Sequence, residues 1–297
     1  MLGIISAKER LKQTTAINIA LFGPSGVGKT TIASTLDPAR TLFVDLEAGT
    51  LALGDWAGDT IDVLKESRKM NIHPWEFSRG LACWLSGPDP AETEGPYCQA
   101  SYDTYCQVFG DPAETIKKYD TIFVDSITVA SRHSFQWAKQ QPEALSERSG
   151  KPDQRAAYGN HGRDMVQWLT VLQHMPMSVI VCGILDTQID EFKRETHTPQ
   201  IVGAMAGREL PGIFDEVLTL QTFATDAGEQ YRALVCHQMN QWNYPAKDRS
   251  GVLDILEAPD LGALMKKLKN GRRSVKTITT MPAPILETEN KEETTNV

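Results

Sequence analysis

The fold of this chain is decided by residues 16–36, AINIALFGPSGVGKTTIASTL. Residues 16–22 form a compact apolar run that ends at Gly23, which is typical of a buried central strand. A glycine-rich turn follows, and residues 29–36 predict the start of a helix. A buried strand that enters a helix through a short turn predicts an α/β architecture.

Three further apolar runs extend this pattern along the chain. They are TLFVD (41–45), TIFVD (121–125) and SVIVCGIL (178–185), and polar residues end or follow each of them. Strands separated by helical or irregular stretches predict a mostly parallel central sheet with crossover connections. In such sheets ligands bind at the carboxyl ends of the strands, so we expect the functional residues there.

The C-terminal half continues with shorter elements. Residues 215–222 and 230–237 predict a hairpin, and Asp260 predicts the cap of a final helix. Residues 66–115 show little periodicity, and residues 191–212 form an irregular, partly basic stretch. We therefore expect an α/β core with a C-terminal hairpin plus helix and two irregular insertions.

Composition bounds the class of protein. The chain has 297 residues, of which 41% are hydrophobic and 23% charged, as in an ordinary globular protein. This length favours one large domain over residues 16–273, after a lead-in over 1–15. Thr, Pro, Glu and Asn dominate 274–297, which predicts a disordered acidic tail.

The charge balance limits the partners. Acidic residues outnumber basic ones by 38 to 30, giving a net charge of −8, which argues against a surface coated in positive charge for indiscriminate nucleic-acid binding. A local basic groove remains compatible with this balance. The five cysteines include no CxxC pair, and no apolar run reaches the roughly 18 residues that span a bilayer. We expect a cytoplasmic protein that does not associate with membranes.

Residues 23–30, GPSGVGKT, match the phosphate-binding pattern GxxxxGK[ST] in full, between a predicted strand and a predicted helix. Glycines let successive backbone N–H groups point at one phosphate, and the helix N-terminus adds its positive dipole end. Lys29 would reach the β- and γ-phosphates, the Thr30 hydroxyl would hold Mg²⁺, and Thr31 would contact the α-phosphate side. The predicted ATP-binding residues in this stretch are Gly23, Pro24, Ser25, Gly26, Val27, Gly28, Lys29, Thr30 and Thr31.

A bound magnesium ion needs a carboxylate at a neighbouring strand end. Asp125, which ends the apolar run 121–125, is the best candidate for this ligand. Asp45 competes with it by pattern alone. The metal ligands expected from the sequence are therefore Thr30 and Asp125.

Three segments resemble the RecA-type ATPases. IFVDSIT (122–128) looks like their Walker B strand, LFVDLEAGT (42–50) looks like the strand that ends in Asp-x-Glu, and AKDRSG (246–251) resembles the Lys-x-Arg motif of RadA-like proteins. The chain resembles the phage-encoded RecA-like ATP-binding proteins over residues 14–270, including the single-strand annealing proteins of the Sak group. The resemblance implies a RecA-like P-loop core that works as a ring or filament.

The same resemblance implies catalytic roles. Glu47 would activate the attacking water, and Lys247 and Arg249 would reach the γ-phosphate held by a neighbouring subunit. Physically, a glutamate one strand over from the P-loop can align a water, and two cations at i, i+2 on an extended segment share one side. A polar residue after the fourth strand would sense the γ-phosphate. Asp186, Thr187 and Gln188 remain open for this role, and Gln188 has the amide chemistry.

RecA-type proteins hold DNA in loops after their third and fourth strands, which here correspond to residues 145–163 and 190–209. The first carries four cations against Glu147 and Asp153, and the second is also positive when counted against Glu191 and Glu195. Such groups suit phosphate contacts. Tyr158 and His161 could stack on bases. The DNA-binding candidates are Arg148, Lys151, Arg155, Arg163, Lys193, Arg194 and Arg208.

These features predict an ATPase of DNA recombination or replication that acts on single-stranded DNA, by annealing or strand exchange, as a homo-oligomeric ring or filament. A single-strand-binding protein is a further expected partner. A hexameric motor of the helicase or packaging type is the first alternative. A P-loop small-molecule kinase is the second, with the insertion 66–115 as its lid.

Overall fold

Ten strands form the central sheet of the computed structural model, which describes residues 3–6, 9, 16–146, 150–189, 191, 193 and 195–271. The strands are β1 (Asn18–Gly23), β2 (Thr41–Asp45), β3 (Asp59–Asp62), β4 (Thr121–Asp125), β5 (Ser178–Ile189), β6 (Glu195–Pro199), β7 (Glu216–Ala224), β8 (Gln230–Val235), β9 (Lys247–Asp248) and β10 (Leu256–Glu257). Their order is β10-β8-β7-β1-β5-β4-β2-β3, with β6 beside β5 and β9 beside β7. Six consecutive strands of this order, from β7 to β3, pair in parallel, which confirms the predicted α/β fold.

Nine α-helices connect these strands within the described residues. They are α1 (Lys29–Ile32), α2 (Val63–Met70), α3 (Pro74–Ser86), α4 (Gln99–Phe109), α5 (Ala113–Lys118), α6 (Ile127–Ala138), α7 (Gln154–Gln173), α8 (Met205–Ile213) and α9 (Leu261–Asn270). The Asp260 side chain accepts the backbone N–H of Ala263 and so caps α9 as predicted. The predicted acidic tail over 274–297 lies outside the described residues.

The insertion 66–115 is mostly helical, which corrects the expectation of an irregular segment. At the start of α3, the His73 ring accepts the N–H of Trp75, while the Glu76 carboxylate accepts the N–H of His73. This reciprocal pattern is a capping box with histidine in place of serine or threonine, and Pro74 occupies the first turn. Helix α3 then buries almost its whole length against the sheet, so its apolar pattern has no clear period.

The described part of the second insertion contains regular secondary structure as well. Strand β5 continues to Ile189 and pairs antiparallel with β6, and α8 follows directly. Residues 191–212 therefore contain the return strand of a hairpin and a helix, where the sequence predicted an irregular stretch. The short polar strand ETHTP shows no alternation of apolar and polar residues, because it is mostly exposed on both faces.

Side chains alternate between the two faces of the sheet and separate two core layers. Phe22 and Val124 point into a layer shared with Trp75 and Trp168, which is covered by α3, α6, α7 and α8. The opposite layer contains Leu21, Phe43 and Phe123 and is covered by α1 and α9. The helical insertion and α1 therefore lie on opposite faces of the sheet. No helix in the described part of the chain is long and apolar enough to cross a membrane.

The register places β1 in a notch at the carboxyl edge. Gly23, the last residue of β1, is level with Ile184 of β5, yet β5 continues to Ile189. On the other side, β7 continues to Ala224. The turn after β1 thus lies between two longer strands, and the ends of β4 and β2 bring Asp125 and Asp45 into register on the same edge.

Candidate nucleotide-binding site

Glycine is required at three points of the turn between β1 and α1. Gly26 and Gly28 have φ angles of +79° and +102°, which other residues rarely adopt. A Cβ atom on Gly23 would lie 2.6 Å from the Leu220 carbonyl oxygen of β7. The buried Val27 side chain anchors the turn to the core. The glycines of the motif therefore build a backbone cradle of the kind that binds phosphate.

Lys29 crosses this turn. Its ammonium group donates to the carbonyl oxygens of Gly23 (3.0 Å) and Pro24 (2.9 Å). Burial lowers the pKa of Lys29, while the nearby Cys182, Asp125 and Glu47 act in the opposite direction. The lysine charge thus lies between the glycine cradle and the acidic side chains of the strand ends.

Thr30 and Asp125 meet on the opposite side of the cradle. The Thr30 hydroxyl donates to Asp125 Oδ2 at 2.6 Å, and the Cys182 thiol donates to Asp125 Oδ1 at 2.8 Å. Burial raises the pKa of Asp125, and these two donors oppose the shift. A hydroxyl and a carboxylate side by side are hard oxygen ligands, so the donor set fits Mg²⁺.

Asp45 has a different task from Asp125. Its buried carboxylate accepts the backbone N–H groups of Glu47 (2.9 Å) and Gly49 (3.2 Å). These bonds shape the turn after β2, in which Ala48 adopts a φ angle of +58°. Of the two aspartates that the sequence offered as metal ligands, Asp125 is the one that contacts Thr30.

Glu47 follows a strand that lies further from β1 than predicted. It does not follow a strand next to β1, because β5 and β4 lie between β1 and β2. The turn after β2 folds back instead, so that a Cβ on Gly49 would lie 3.5 Å from Asp125 Oδ2 and 3.7 Å from the Thr30 methyl group. The exposed Glu47 carboxylate accepts a hydrogen bond from the Ser126 hydroxyl. The Asp125–Ser126 peptide bond is cis.

Lys247 and Arg249 lie at the other end of the sheet. Lys247 is in register with Val217, which pairs with Ala20 near the start of β1. Its ammonium group donates to the carbonyl oxygens of Pro211 and Phe214 (2.5 and 2.6 Å). Three residues of strand, about 10 Å, separate Ala20 from the end of β1. The pair is therefore directed away from the P-loop of its own chain.

Arg249 is paired within the same chain. Its guanidinium donates to Asp215 Oδ1 at 2.8 Å, in an ion pair whose arginine side chain is 53% exposed. A role for Lys247 and Arg249 at the nucleotide of a neighbouring subunit remains a prediction.

The three sensor candidates lie on the β5–β6 hairpin. Gln188 is four residues past Ile184, the residue level with Gly23, and its amide donates to Asp186 Oδ2 at 3.3 Å. The Thr187 hydroxyl contacts His197 Nδ1 at 3.0 Å. All three side chains are outside the closely packed core of the sheet. Sensing of the γ-phosphate by Gln188 stays a prediction.

The DNA-binding candidates divide into two groups. Arg148 and Arg194 lie outside the described residues. Lys151, Arg155, Arg163, Lys193 and Arg208 are exposed. The expected positive charge of the second segment is wrong, because Asp190 and Glu209 also lie within 190–209 and leave three cations against four acids.

His161 is not available for base stacking, which corrects another expectation. It is buried, its ring contacts Ser134 Oγ (2.9 Å) and the Val202 carbonyl oxygen (2.7 Å), and burial lowers its pKa. Tyr158 remains 46% exposed and stacks on Phe135, with ring centroids 4.5 Å apart. Sequence alone does not distinguish a packed histidine from an exposed one.

A groove of about 460 Å³ lies next to this aromatic pair. We call it the α6–α7 groove, because it lies between the C-terminal end of α6 and the N-terminal end of α7. The Lys139 ammonium group, on its rim, lies 5.0 Å from the centre of the Phe135 ring. The groove is lined by Gln136, Lys139, Gln140, Ala144, Pro152, Asp153, Gln154 and Ala157.

Arg232 is a neighbour of the cradle that the sequence did not indicate. Its Nη1 atom lies 3.1 Å from the position that a Cβ would occupy on Gly28. The residue sits in the middle of β8, opposite Thr222 of β7, and belongs to no recognisable motif. Only the register of the β7–β8 hairpin brings it to the turn.

Comparison with known protein families agrees with this geometry. Residues 15–250 match the family model described as AAA domain. A search of curated protein sequences finds no match. Among solved structures 78 chains match, and one of them is a prototypical ATPase from the type III secretion system of pathogenic bacteria.

The similarity to that ATPase is low. The identity is 16% and the TM-score 0.36 over 69% of this chain, which spans about half (52%) of that protein. The likeness carries no argument about fold or function. The family model, in contrast, covers most of the sequence, including the whole glycine cradle, and the chain therefore belongs to the AAA domain family of P-loop ATPases.

Proposed function

We propose that this chain hydrolyses ATP with Mg²⁺ at the Gly23–Thr31 turn and couples hydrolysis to the handling of single-stranded DNA, by annealing or strand exchange in recombination or replication. The observation that carries the proposal is the convergence of Lys29, Thr30, Asp125 and Glu47 at one edge of the sheet. The resemblance to Sak-group and other RecA-like phage proteins supports the proposed action on single-stranded DNA.

Each residue at this edge has a chemical task. The glycine cradle and Lys29 bind and orient the triphosphate, and Thr30 and Asp125 supply oxygen ligands for the metal. Bound Mg²⁺ would neutralise charge on the phosphate oxygens. Glu47 orients the attacking water and accepts its proton, while the Ser126 hydroxyl holds the carboxylate in place.

Helix α6 links this edge to the proposed DNA surface. It starts directly after Ser126, whose hydroxyl also contacts the N–H of Val129, and runs for 12 residues, about 18 Å. Its last turns carry Phe135 and lead to Lys139 at the α6–α7 groove. A shift of Glu47 during hydrolysis would thus act on the start of a helix whose far end meets DNA.

The groove and the α7 residues beside it have the residue types that bind single strands. Lys139 lines the groove, and the neighbouring Arg155 and Tyr158 of α7 add a second exposed cation and a partly exposed ring. Base stacking on an aromatic ring contributes about 1–3 kcal/mol per base and tolerates any sequence. Such a surface suits binding without base readout, as annealing or strand exchange requires.

The position of Lys247 and Arg249 supports an oligomer. These cations point away from the cradle of their own chain, so they could serve a nucleotide only in another copy. A ring or filament would bring the amino edge of one copy to the carboxyl edge of the next. It would also multiply the small number of cations per DNA groove.

The test is ATP turnover with and without single-stranded DNA. We expect DNA to stimulate hydrolysis by the wild type, and Lys29→Ala to lose turnover under both conditions. An equal rate of ATP turnover with and without DNA would show that hydrolysis is not coupled to DNA. Strand displacement then separates the remaining motor alternative, since an annealing protein does not unwind a duplex.

Tyr158 gives a matched pair of variants for the DNA surface. Tyr158→Ala should weaken single-strand binding by about tenfold, because it removes one stacking contact. Tyr158→Phe keeps the ring and should bind like the wild type. Equal affinities of the alanine and phenylalanine variants would exclude stacking on this residue.

The kinase alternative receives no support from the insertion. Its helices pack on the face of the sheet opposite to α1. In that position they do not form a lid over the helix that starts at Lys29.

A further inference from the structure

Arg232 lies against the turn between β1 and α1, yet it comes from a part of the chain about 200 residues away from that turn. Its Nη1 and Cζ atoms are 3.1 and 3.5 Å from the Cβ position of Gly28, the residue directly before Lys29. The guanidinium thus occupies the space next to Gly28 that a side chain at this position would need. A side chain at position 28 would compete with it for this space.

The sheet places Arg232 there through two register relations. Gly23 approaches the Leu220 carbonyl of β7, and Arg232 is paired with Thr222, two residues further along the same strand. Side chains of β8 alternate, so Arg232 shares a face with Leu234, which packs in the core layer that contains Val27. Strand β8 therefore directs this side chain onto the face of the sheet from which the turn and α1 rise.

The charge of Arg232 is not used elsewhere in the described residues. Within that part of the chain its guanidinium forms no ion pair and no hydrogen bond. Arg249 differs, because it is held by Asp215 at 2.8 Å. A guanidinium is always charged at neutral pH and matches phosphate oxygens with two parallel N–H donors. An exposed guanidinium beside a glycine cradle of this kind would meet the phosphates of a nucleotide bound there.

We propose that Arg232 is a phosphate-binding residue of this site, supplied by the same chain that supplies the P-loop. It would contact the nucleotide phosphates from the β7–β8 side, opposite to the side where Thr30 and Asp125 hold the metal. This proposal rests on the proposed ATPase function. It adds a residue that acts in cis, in contrast to the trans role predicted for Lys247 and Arg249.

The experiment measures equilibrium binding of fluorescent ATP and ADP to full-length protein without DNA, for the wild type, Arg232→Ala, Arg232→Lys and Arg68→Ala. Arg68 is an exposed arginine of α2 and serves as the matched control. A lost charge-assisted contact should weaken ATP binding by Arg232→Ala about 10- to 100-fold. Arg232→Lys should lose less, since it keeps the charge but not the paired donors.

Salt dependence supplies a second readout that a structural role would not move. If Arg232 contacts phosphate, the ATP affinity of the wild type should fall more steeply with added salt than that of Arg232→Ala. Unfolding temperatures of all variants should stay close to that of the wild type, because the side chain is exposed. Should Arg232→Ala fold poorly, Arg232→Gln takes its place.

The outcomes separate the two proposals. A wild type that binds and hydrolyses ATP, with an Arg232→Ala variant that behaves like Arg68→Ala, overturns the role of Arg232 and leaves the ATPase function standing. A wild type that neither binds nor hydrolyses ATP overturns the proposed function, and the role of Arg232 with it. Selective weakening in Arg232→Ala supports both.

Discussion

The two ends of the sheet use the same residue types for different purposes. At the carboxyl end, Lys29 and Arg232 lie against glycine backbone, and the buried Asp125 contacts a hydroxyl and a thiol. At the amino end, Lys247 donates to two backbone carbonyls and Arg249 pairs with Asp215. Both groups have partners in their own chain, but the first surrounds the glycine cradle, whereas the second lies at the far end of the sheet.

This difference shows that position in the register, not residue type, decides which cations lie next to the glycine cradle. In the sequence, the Lys-x-Arg pair indicates a catalytic motif. In the structure it lies level with Ala20, three residues before the end of β1, and faces away from the cradle. For Arg249 to act in another copy it must leave Asp215. The arginine of that pair is 53% exposed and the aspartate 25%, so the separation costs about 1 kcal/mol.

Replacing Arg249 tests whether the amino end completes a neighbouring site. Arg249→Ala should lower ATP hydrolysis by about 10³-fold or more, as expected for a cation that stabilises the transition state, while ATP binding by each chain persists. The measurements are steady-state turnover and fluorescent-nucleotide affinity.

A mixture of chains provides the control for this experiment. Arg249→Ala chains retain an intact cradle, and Lys29→Ala chains retain an intact arginine, so mixing them should restore part of the activity. No recovery, or full activity of Arg249→Ala alone, would show that the amino end takes no part in hydrolysis.

Glu47 tests the carboxyl end. Glu47→Gln keeps the shape of the side chain but removes the proton acceptor, so turnover should fall by about 10²- to 10⁴-fold with ATP affinity retained. Glu114→Gln, an exposed glutamate of α5, is the matched control. Wild-type turnover of Glu47→Gln would assign the water-activating role to another group.

Local patterns allowed the sequence to predict what depends on neighbours in the chain. The strand–turn–helix around Lys29, the strand ending at Asp125 and the cap at Asp260 all follow from residues close in sequence. The fold class was predictable for the same reason. Helix α3 was missed because its cap is a histidine and because nearly all of its side chains are buried, which removes the period.

Long-range relations explain the remaining differences. Arg232 reaches Gly28 only through the pairing of β8 with β7 and of β7 with β1. Glu47 reaches Ser126 only because Asp45 folds the intervening turn. No spacing in the sequence encodes either contact, so a sequence motif finds the cradle but not all the side chains around it.

Glu216, at the amino end of the sheet, should make the stability of the folded protein depend on pH. This side chain is 1% exposed, burial and the neighbouring Asp248 raise its pKa to about 8, and Oε2 has no partner among the described residues. The folded protein keeps the proton up to about pH 8, whereas the unfolded chain releases it near pH 4.5. The free energy of unfolding should therefore fall as the pH rises between these values.

Glu216→Gln should remove this slope, because the amide stays neutral. We expect the slope of the free energy of unfolding against pH to become shallower by roughly 1 kcal/mol per pH unit within that window. The measurement is urea unfolding at pH 5.5, 7 and 8. Glu114→Gln should leave the slope unchanged. A slope that persists in Glu216→Gln would assign the titration to another group.

Asp215→Asn should have the smallest effect, and it tests most directly what the Arg249–Asp215 ion pair contributes. The asparagine oxygen can still accept the N–H of Asn18, which Asp215 Oδ2 accepts at 3.1 Å, but the charge that holds Arg249 is lost. Unfolding should therefore become easier by less than about 1 kcal/mol. If Arg249 must leave Asp215 to serve a neighbouring copy, turnover should stay at the wild-type level or rise, since the competing acid is gone. Turnover that falls together with stability would mean instead that the pair exists to fix the strand ends of its own chain.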